Sequence, residues 1–198
     1  MGEEITEIGT SSPVWDRFFS VAPLALVGSK ELDGGFDLAP KHMAMPVGWQ
    51  NYWCFVCSPR HATYRNIKFH GQFTASFPAP DQMVAASMAA GPRGPENVKP
   101  TLEAVETFPA RAVDGVLVRH SRLWLECELE RIIDGFGENS IVVGSVVAAA
   151  APEHSLRSAD EDDADLLHSA PLTAYVSPGR FASVGETYSF PYHVDFSL

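Results

Sequence analysis

Arg119-His120-Ser121-Arg122-Leu123-Trp124-Leu125-Glu126-Cys127-Glu128-Leu129-Glu130-Arg131-Ile132-Ile133 alternates in character almost without interruption. Leu123, Leu125, Cys127 and Leu129 fall on one side of an extended chain, while Arg122, Trp124, Glu126, Glu128 and Glu130 fall on the other. Successive side chains of a strand point to opposite faces, so the pattern predicts a long strand with one buried and one solvated face in an antiparallel sheet. Asp134-Gly135-Phe136-Gly137 predicts a reversal, and residues 141–148 a return strand.

Outward from this hairpin the same signals recur. Residues 24–28 read as a buried strand, Asp33-Gly34-Gly35 as a hairpin turn and residues 36–39 as its returning partner. Tyr52-Trp53-Cys54-Phe55-Val56-Cys57 is a nearly continuous aromatic and β-branched run, which predicts a central barrel strand. Residues 73–77, 172–176 and 188–192 are further strand candidates. Helices are predicted over residues 14–21, where Trp15, Phe18 and Phe19 share one face, over 59–69 with Gly71 as C-cap, and over 81–90, stopped by Gly91-Pro92. Gly91, Pro92, Gly94, Pro95 and Pro100 make residues 91–100 a loop, placed as the rim of a site. The polar residues 1–13 read as a flexible arm, which leaves 14–198 as a single domain. About seven strands with short helices between them predict a mainly β fold: a small six- or seven-stranded antiparallel barrel, closed or split, with peripheral helices.

Two segments carry chemistry. In Ser58-Pro59-Arg60-His61-Ala62-Thr63-Tyr64-Arg65-Asn66-Ile67, Ser58 reads as an N-cap and Pro59 as the first helical residue. The N–H groups of such a first turn favour a phosphate, to which Arg60 adds a charge and Thr63 a hydroxyl. Asp37-Leu38-Ala39-Pro40-Lys41-His42-Met43 is a non-helical stretch whose backbone groups suit the edge of a flat polar ligand. A phosphate seat beside a backbone ledge fits a phosphorylated planar cofactor.

At these residues the chain resembles the flavin reductase-like FMN-binding split barrels. That family carries an Asn-x-Ala-Pro-x-Ser-like segment after its second strand, then a Ser…Thr…Asn-Ile helix start. A Gly-x-Phe-x-x-x-x-Pro strand follows, here Gly71-Gln72-Phe73-Thr74-Ala75-Ser76-Phe77-Pro78. Further echoes are Leu125-Glu126-Cys127-Glu128-Leu129, Val142-Val143-Gly144-Ser145-Val146 and Pro171-Leu172-Thr173-Ala174-Tyr175, so that the likeness runs from about residue 22 to 186. Asp37 stands where Asn is usual and His42 where Ser is usual. The resemblance implies an FMN-binding split barrel that works as a homodimer with FMN near the subunit interface. The cofactor-binding residues it implies are Ala39, Pro40, Lys41, His42, Met43, Ser58, Arg60, Thr63, Asn66 and Lys99, with Lys41 and Lys99 toward the flavin N1–C2=O edge. Trp49, Tyr52, Trp53 and Trp124 offer aromatic surface that a partner subunit would cover. The implied activity is an FMN-dependent oxidoreductase, in the first instance NAD(P)H:flavin reductase, with NADH or NADPH as a transient donor in an open cleft. A flavin carrier without turnover of its own, and a flavoenzyme for one small organic substrate, are the alternatives. Two-component reductases of the family often hold a Gly-x-x-His segment near the C-terminus; Ser177-Pro178-Gly179-Arg180-Phe181-Ala182 has no His.

Other classes are excluded or unsupported. A net charge of −11 argues against nucleic-acid backbones and anionic membranes as partners, and the acidic clusters at residues 3–7 and 160–165 read as solvated surface. The N-terminus is acidic with no apolar core, so no secretory signal is expected. The longest apolar run, residues 141–151, falls short of the roughly 20 residues a bilayer span takes. Three cysteines point to reduced thiols in the cytoplasm, and Cys54 and Cys57, an odd number of positions apart on one strand, point to opposite faces and form neither bridge nor metal site. No G-x-S-x-G, G-x-G-x-x-G or P-loop motif occurs, and no catalytic constellation stands out; His42, His61, His70 and His193 are the histidines to watch.

Overall fold

The structure, a computed structural model, describes residues 4–94 and 99–192. Its regular elements are β1 (Ser20–Pro23), β2 (Ala25–Lys30), β3 (Phe36–Lys41), β4 (Ala44–Pro46), β5 (Tyr52–Cys57), α1 (Ala62–His70) and β6 (Gln72–Phe77). Then follow α2 (Met83–Ala89), β7 (Thr107–Pro109), β8 (Val116–Val118), β9 (Leu123–Phe136), β10 (Asn139–Ala150), α3 (Asp163–Ser169), β11 (Leu172–Ser177) and β12 (Arg180–Val184).

The alternating segment becomes β9, the middle strand of a seven-stranded sheet of order β3-β2-β6-β9-β10-β5-β4. Every pairing in it is antiparallel. The sheet curls into a half-barrel around Val27, Phe55, Phe73, Leu125, Cys127 and Val142, and Tyr64 and Ile67 of α1 plug its open side. Curling needs local relief in β10. Its register shifts at Val143/Gly144 and again at Val146/Ala148, and bulges of this kind bend a strand. Gly144 is also where Phe73 crosses: a Cβ there would stand 2.5 Å from Phe73 Cζ. The convex face is covered as well. Leu24, Leu26 and Leu38 pack with Ala86 and Ala89 of α2, and with Val105 and Val118 of the segment before β9. A three-stranded sheet, β1-β11-β12, and a two-stranded one, β7-β8, complete the architecture. Among the described residues no helix is long and apolar enough to cross a membrane.

Several expectations are corrected. Residues 14–21 are not a helix: a single 3₁₀ turn, Val14–Asp16, leads into β1, because residues 20–23 gain a full ladder with β11. The aromatics that matched helical spacing, Trp15, Phe18 and Phe19, are exposed. Strand β5 lies next to the sheet edge rather than at its centre. Trp53 is a core residue, 3% exposed and stacked among Phe55, Phe73 and Phe77, so it is not available to a partner. Residues 188–192 form no strand. The β9–β10 turn falls later than predicted, after Phe136, and Asp134 stays in β9, accepting from Ser140 Oγ at 2.6 Å and Tyr64 Oη at 3.1 Å. Those two bonds hold the Asp134 carboxyl below the usual carboxylate range. The acidic run opens a short helix, α3, with Asp162 as N-cap accepting from the Ala164 N–H at 2.8 Å.

Glu126 is the most instructive departure. Alternation puts it on the solvated face of β9, yet it is only 6% exposed. Its Oε2 accepts three successive N–H groups, from Arg111 at 2.9 Å, Ala112 at 2.6 Å and Val113 at 3.2 Å. A buried carboxylate requires such partners, and here they also fix the 110–115 loop against the sheet. Glu126→Ala is expected to destabilise the protein by about 2–4 kcal/mol, since bonds to a charged group contribute roughly 1.5–3 kcal/mol and three donors lose their acceptor together. Amide exchange at Arg111, Ala112 and Val113 should accelerate with it; unchanged melting and unchanged protection at those amides would refute the role.

Candidate functional site

Strand β3 and the start of α1 lie side by side, and the loop after α2 closes over both. Asp37, Ala39 and Lys41 alternate with Leu38 and Pro40 along β3, so their side chains point away from the α2 layer and toward α1. Asp37, with a side chain only 3% exposed, holds the group together. Its Oδ1 lies 2.8 Å from Lys99 Nζ and 3.1 Å from the Arg93 guanidinium. Its Oδ2 accepts from Thr63 Oγ1 at 3.4 Å. Lys99 also donates to the carbonyls of Leu38, at 2.9 Å, and Ala89, at 3.2 Å, so one ammonium ties β3 to the end of α2. Arg93 pairs with Glu31 as well.

Around this carboxylate opens a cavity of about 530 Å³, lined by Ala39, Pro40, Lys41, Arg60, His61, Thr63, Arg65, Arg93 and Lys99 among others. Five permanent cations meet there in a chain of net charge −11. Lys41 is largely buried and donates to Cys57 Sγ at 3.4 Å. Arg65 reaches the Arg60 carbonyl at 2.6 Å, and Arg60 forks onto the Glu138 carboxylate at 2.7 and 3.3 Å on the exposed rim. By helix geometry the first N–H groups of α1, on Ala62 and Thr63, have no partner within the helix, and their positive end faces the same space. Burial pushes the His61 imidazole below its ordinary value, as do Lys41, Lys99 and Arg65, with Asp37 opposing. Burial and Lys41 likewise push His42 down. Burial raises the Cys57 thiol against the pull of Lys41.

The expected residues separate into groups. Ala39, Pro40, Lys41, Arg60, Thr63 and Lys99 do meet at one cavity. His42 does not line it; its ring packs on Tyr175 with centroids 4.4 Å apart, in a neighbouring cavity of about 440 Å³. Met43 is exposed and lines neither, while its carbonyl accepts from the Val56 N–H. Ser58 is no N-cap. It opens a turn closed by His61 N–H onto its carbonyl at 3.0 Å, and α1 begins at Ala62 with His61 in the capping position. Pro59 therefore lies outside the helix, and Ser58 Oγ accepts from the Arg60 N–H at 3.3 Å. Asn66 is 3% exposed under the helix, donating to Ser29 Oγ at 3.1 Å. Gly71 does end α1, in the left-handed region at φ 70°. Cys54, Cys57 and Cys127 are free and buried, and burial takes the Cys127 thiol up to about 12. His193 and residues 95–98 of the rim loop lie outside the described residues. Sequence reasoning missed Arg93, which no motif marked, and the joining role of Asp37; Arg65 carried only the signal of a second cation near Arg60.

A curled antiparallel half-barrel with a cation-lined cavity where an edge strand meets a helix N-terminus defines a class of small split-barrel proteins. The profile of the flavin reductase like domain matches residues 19–175, and the chain belongs to that family. No curated protein matches the sequence. Among solved structures, nitrilotriacetate monooxygenase component B of Bacillus cereus aligns at TM-score 0.80 and 18% identity over 96% of this chain and 100% of its own. Flavoredoxin of Desulfovibrio vulgaris aligns at TM-score 0.75 and 20% identity over 96% and 99%. An NADH:FAD oxidoreductase of Streptomyces globisporus aligns at TM-score 0.66 and 16% identity over 82% and 86%. Family membership supports a flavin-related oxidoreductase activity.

The depressed His61 has a thermodynamic consequence. Its folded-state pKa lies below the unfolded value of about 6.5, so the folded state binds its proton less well. Stability attributable to His61 is complete above that unfolded value and is lost as pH falls through it, the loss levelling off below the folded pKa. His61→Gln should flatten the melting temperature between about pH 7 and pH 5 relative to the parent protein. A parent and variant with parallel pH profiles would show that His61 titrates normally.

Proposed function

We propose that the protein is an FMN-dependent oxidoreductase of the NAD(P)H:flavin reductase type. The observation that carries this reading is the convergence of Lys41, Arg60, Arg65, Arg93 and Lys99 on the N-terminus of α1, inside a fold of the flavin reductase-like family. The donors fit a phosphate monoester. The Ala62 and Thr63 N–H groups, Arg65 and Arg60 supply directed hydrogen bonds, and Arg60 would exchange Glu138 for phosphate at small cost, since its present ion pair is exposed. Asp37 neutralises part of the surplus charge and engages Lys99, leaving Lys41 beside the β3 backbone as the donor for the polar edge of a flavin ring, with Lys99 a fixed positive charge behind it. Bound FMN supplies the hydride-accepting centre; the chain's own part is to bind, orient and set the local field.

The neighbouring cavity supports a place for the second reactant. It shares Pro40 and Ala90 with the cationic cavity and is lined by Leu24, His42, Met83, Tyr175, Arg180 and Phe181. Its apolar walls suit a flat ring, and Arg180 suits an anionic group on it. The missing His in Gly179-Arg180-Phe181-Ala182 favours a second reading, in which this slot takes one particular small organic substrate rather than a nicotinamide. A cytosolic location goes with either reading and is supported by the three free, buried thiols.

FMN is expected to bind at least about tenfold more tightly than riboflavin, because the phosphate adds charge-assisted bonds worth roughly 1.5–3 kcal/mol each. Arg60→Ala should narrow that difference and leave melting of the flavin-free protein unchanged, as fluorescence-quenching titrations and thermal scans would read. Equal affinities for FMN and riboflavin in the parent protein would remove the phosphate seat. Under anaerobic conditions NADH or NADPH should bleach the bound flavin band; a band that neither donor bleaches selects the second reading.

The homodimer also belongs to the proposal. Tyr52 and Trp49 remain exposed, with Phe136 and Ile133 on the β9–β10 hairpin, and such apolar surface supports a partner subunit. If the flavin site is shared between subunits, flavin and association strengthen each other. Sedimentation over a dilution series should then show FMN driving monomer toward dimer; a monomer with full FMN affinity would exclude a shared site.

A further inference from the structure

A second polar cavity, of about 580 Å³, lies where β6 ends and β9 begins, and it shares no lining residue with the cationic cavity beside α1. Its rim carries Arg119, His120, Arg122 and His154, and its wall carries Phe108 and Trp124. The flavin reading has no use for these residues. Among the described residues, Arg122 Nε is buried with no hydrogen-bond partner, while its Nη1 sits 3.0 Å from His154 Nε2. The Arg119 guanidinium lies 5.5 Å from the Phe108 ring centroid. Phe108 and Trp124 meet edge to face at 5.6 Å, and the indole is fixed by donating to the Val118 carbonyl at 2.6 Å. The cavity mouth is turned by His120 in the left-handed region at φ 61°, a conformation uncommon outside glycine.

We propose that this cavity binds a planar aromatic carboxylate, its ring against Phe108 and Trp124 and its carboxylate between Arg119 and Arg122. Guanidinium groups match a carboxylate with paired, directed N–H donors, and a rigid aromatic corner favours a flat ring over a puckered one. The charge selects a monoanion: Asp81 is the one acid among the lining residues, so two guanidiniums and one carboxylate leave a single net positive charge. The donors a carboxylate can reach are the exposed Arg119 guanidinium and the rim end of Arg122, whose Nη1 lies beside His154. The volume lies within the roughly 300–1,000 Å³ typical of small-molecule sites.

Calorimetric titration of sodium benzoate into the protein, with excess FMN present and again without it, tests the site. One saturable site is expected under both conditions. Arg119→Gln and Arg122→Gln should each weaken benzoate at least about tenfold, the effect of one lost charge-assisted bond. Arg119 is exposed, so Arg119→Gln keeps the fold and carries the test even where Arg122→Gln does not fold. Cyclohexanecarboxylate, with the same charge and no aromatic face, should bind more weakly than benzoate. The proposal is overturned by any one of four results: no saturable benzoate binding, parental affinity in Arg119→Gln, inorganic phosphate or cyclohexanecarboxylate binding as well as benzoate, or displacement of benzoate by FMN. The last would move benzoate into the flavin cavity; failure of FMN itself to bind leaves the benzoate titration informative on its own.

Discussion

The stretch of β9 from Leu125 to Cys127 is buried on both faces, and much of the architecture serves to cover it. Leu125 and Cys127 point into the curled side of the sheet, where α1 seals the core. On the opposite side the 105–118 segment lies across β9, held by Glu126 and by the Trp124 indole. An antiparallel sheet with one wet face would need neither device. Here the second layer exists because a carboxylate in the middle of the strand gathers three backbone N–H groups that would otherwise be unpaired.

The same logic of a buried carboxylate organises the candidate flavin site. Asp37 is buried in β3, and its charge is tolerated because Lys99, Arg93 and Thr63 surround it. Those partners come from α1 and from the loop after α2, so the interaction that stabilises Asp37 also positions the cavity walls. Lys99 shows the coupling most directly: one ammonium contacts Asp37, the Leu38 carbonyl on β3 and the Ala89 carbonyl at the end of α2. A cavity built this way keeps its cations oriented before any anion enters, which lowers the ordering cost of binding.

Local signals and tertiary demands disagreed in three places for identifiable reasons. Trp15, Phe18 and Phe19 match helical spacing, but residues 20–23 gain more from a ladder with β11 than a two-turn helix could offer. Ser58-Pro59 has the composition of a helix start, yet the chain leaving β5 spends those residues on a turn, and the helix waits until Ala62. Glu126 fits the polar half of an alternating strand and is nonetheless internal, because the loop that covers it comes from a segment with no strong pattern of its own.

By itself, the sequence determined the antiparallel β architecture, the hairpins at Asp33-Gly34-Gly35 and beyond β9, and the glycine that ends α1, while the meeting of Ala39 to Lys41 with Arg60, Thr63 and Lys99 was legible only as what the family resemblance implies. The first three rest on period-two alternation and on glycine's access to positive φ, both of which act along the chain. Only the tertiary structure decided which strand stands at the sheet's centre, that Trp53 is core, that His42 belongs to a neighbouring cavity, and that Arg93 and Asp37 are partners. Each of these depends on which distant segment covers a given face. Glu31 and Arg93, Lys99 and Leu38, and Glu126 and Ala112 are brought together by folding, and nothing in the local pattern of either partner names the other.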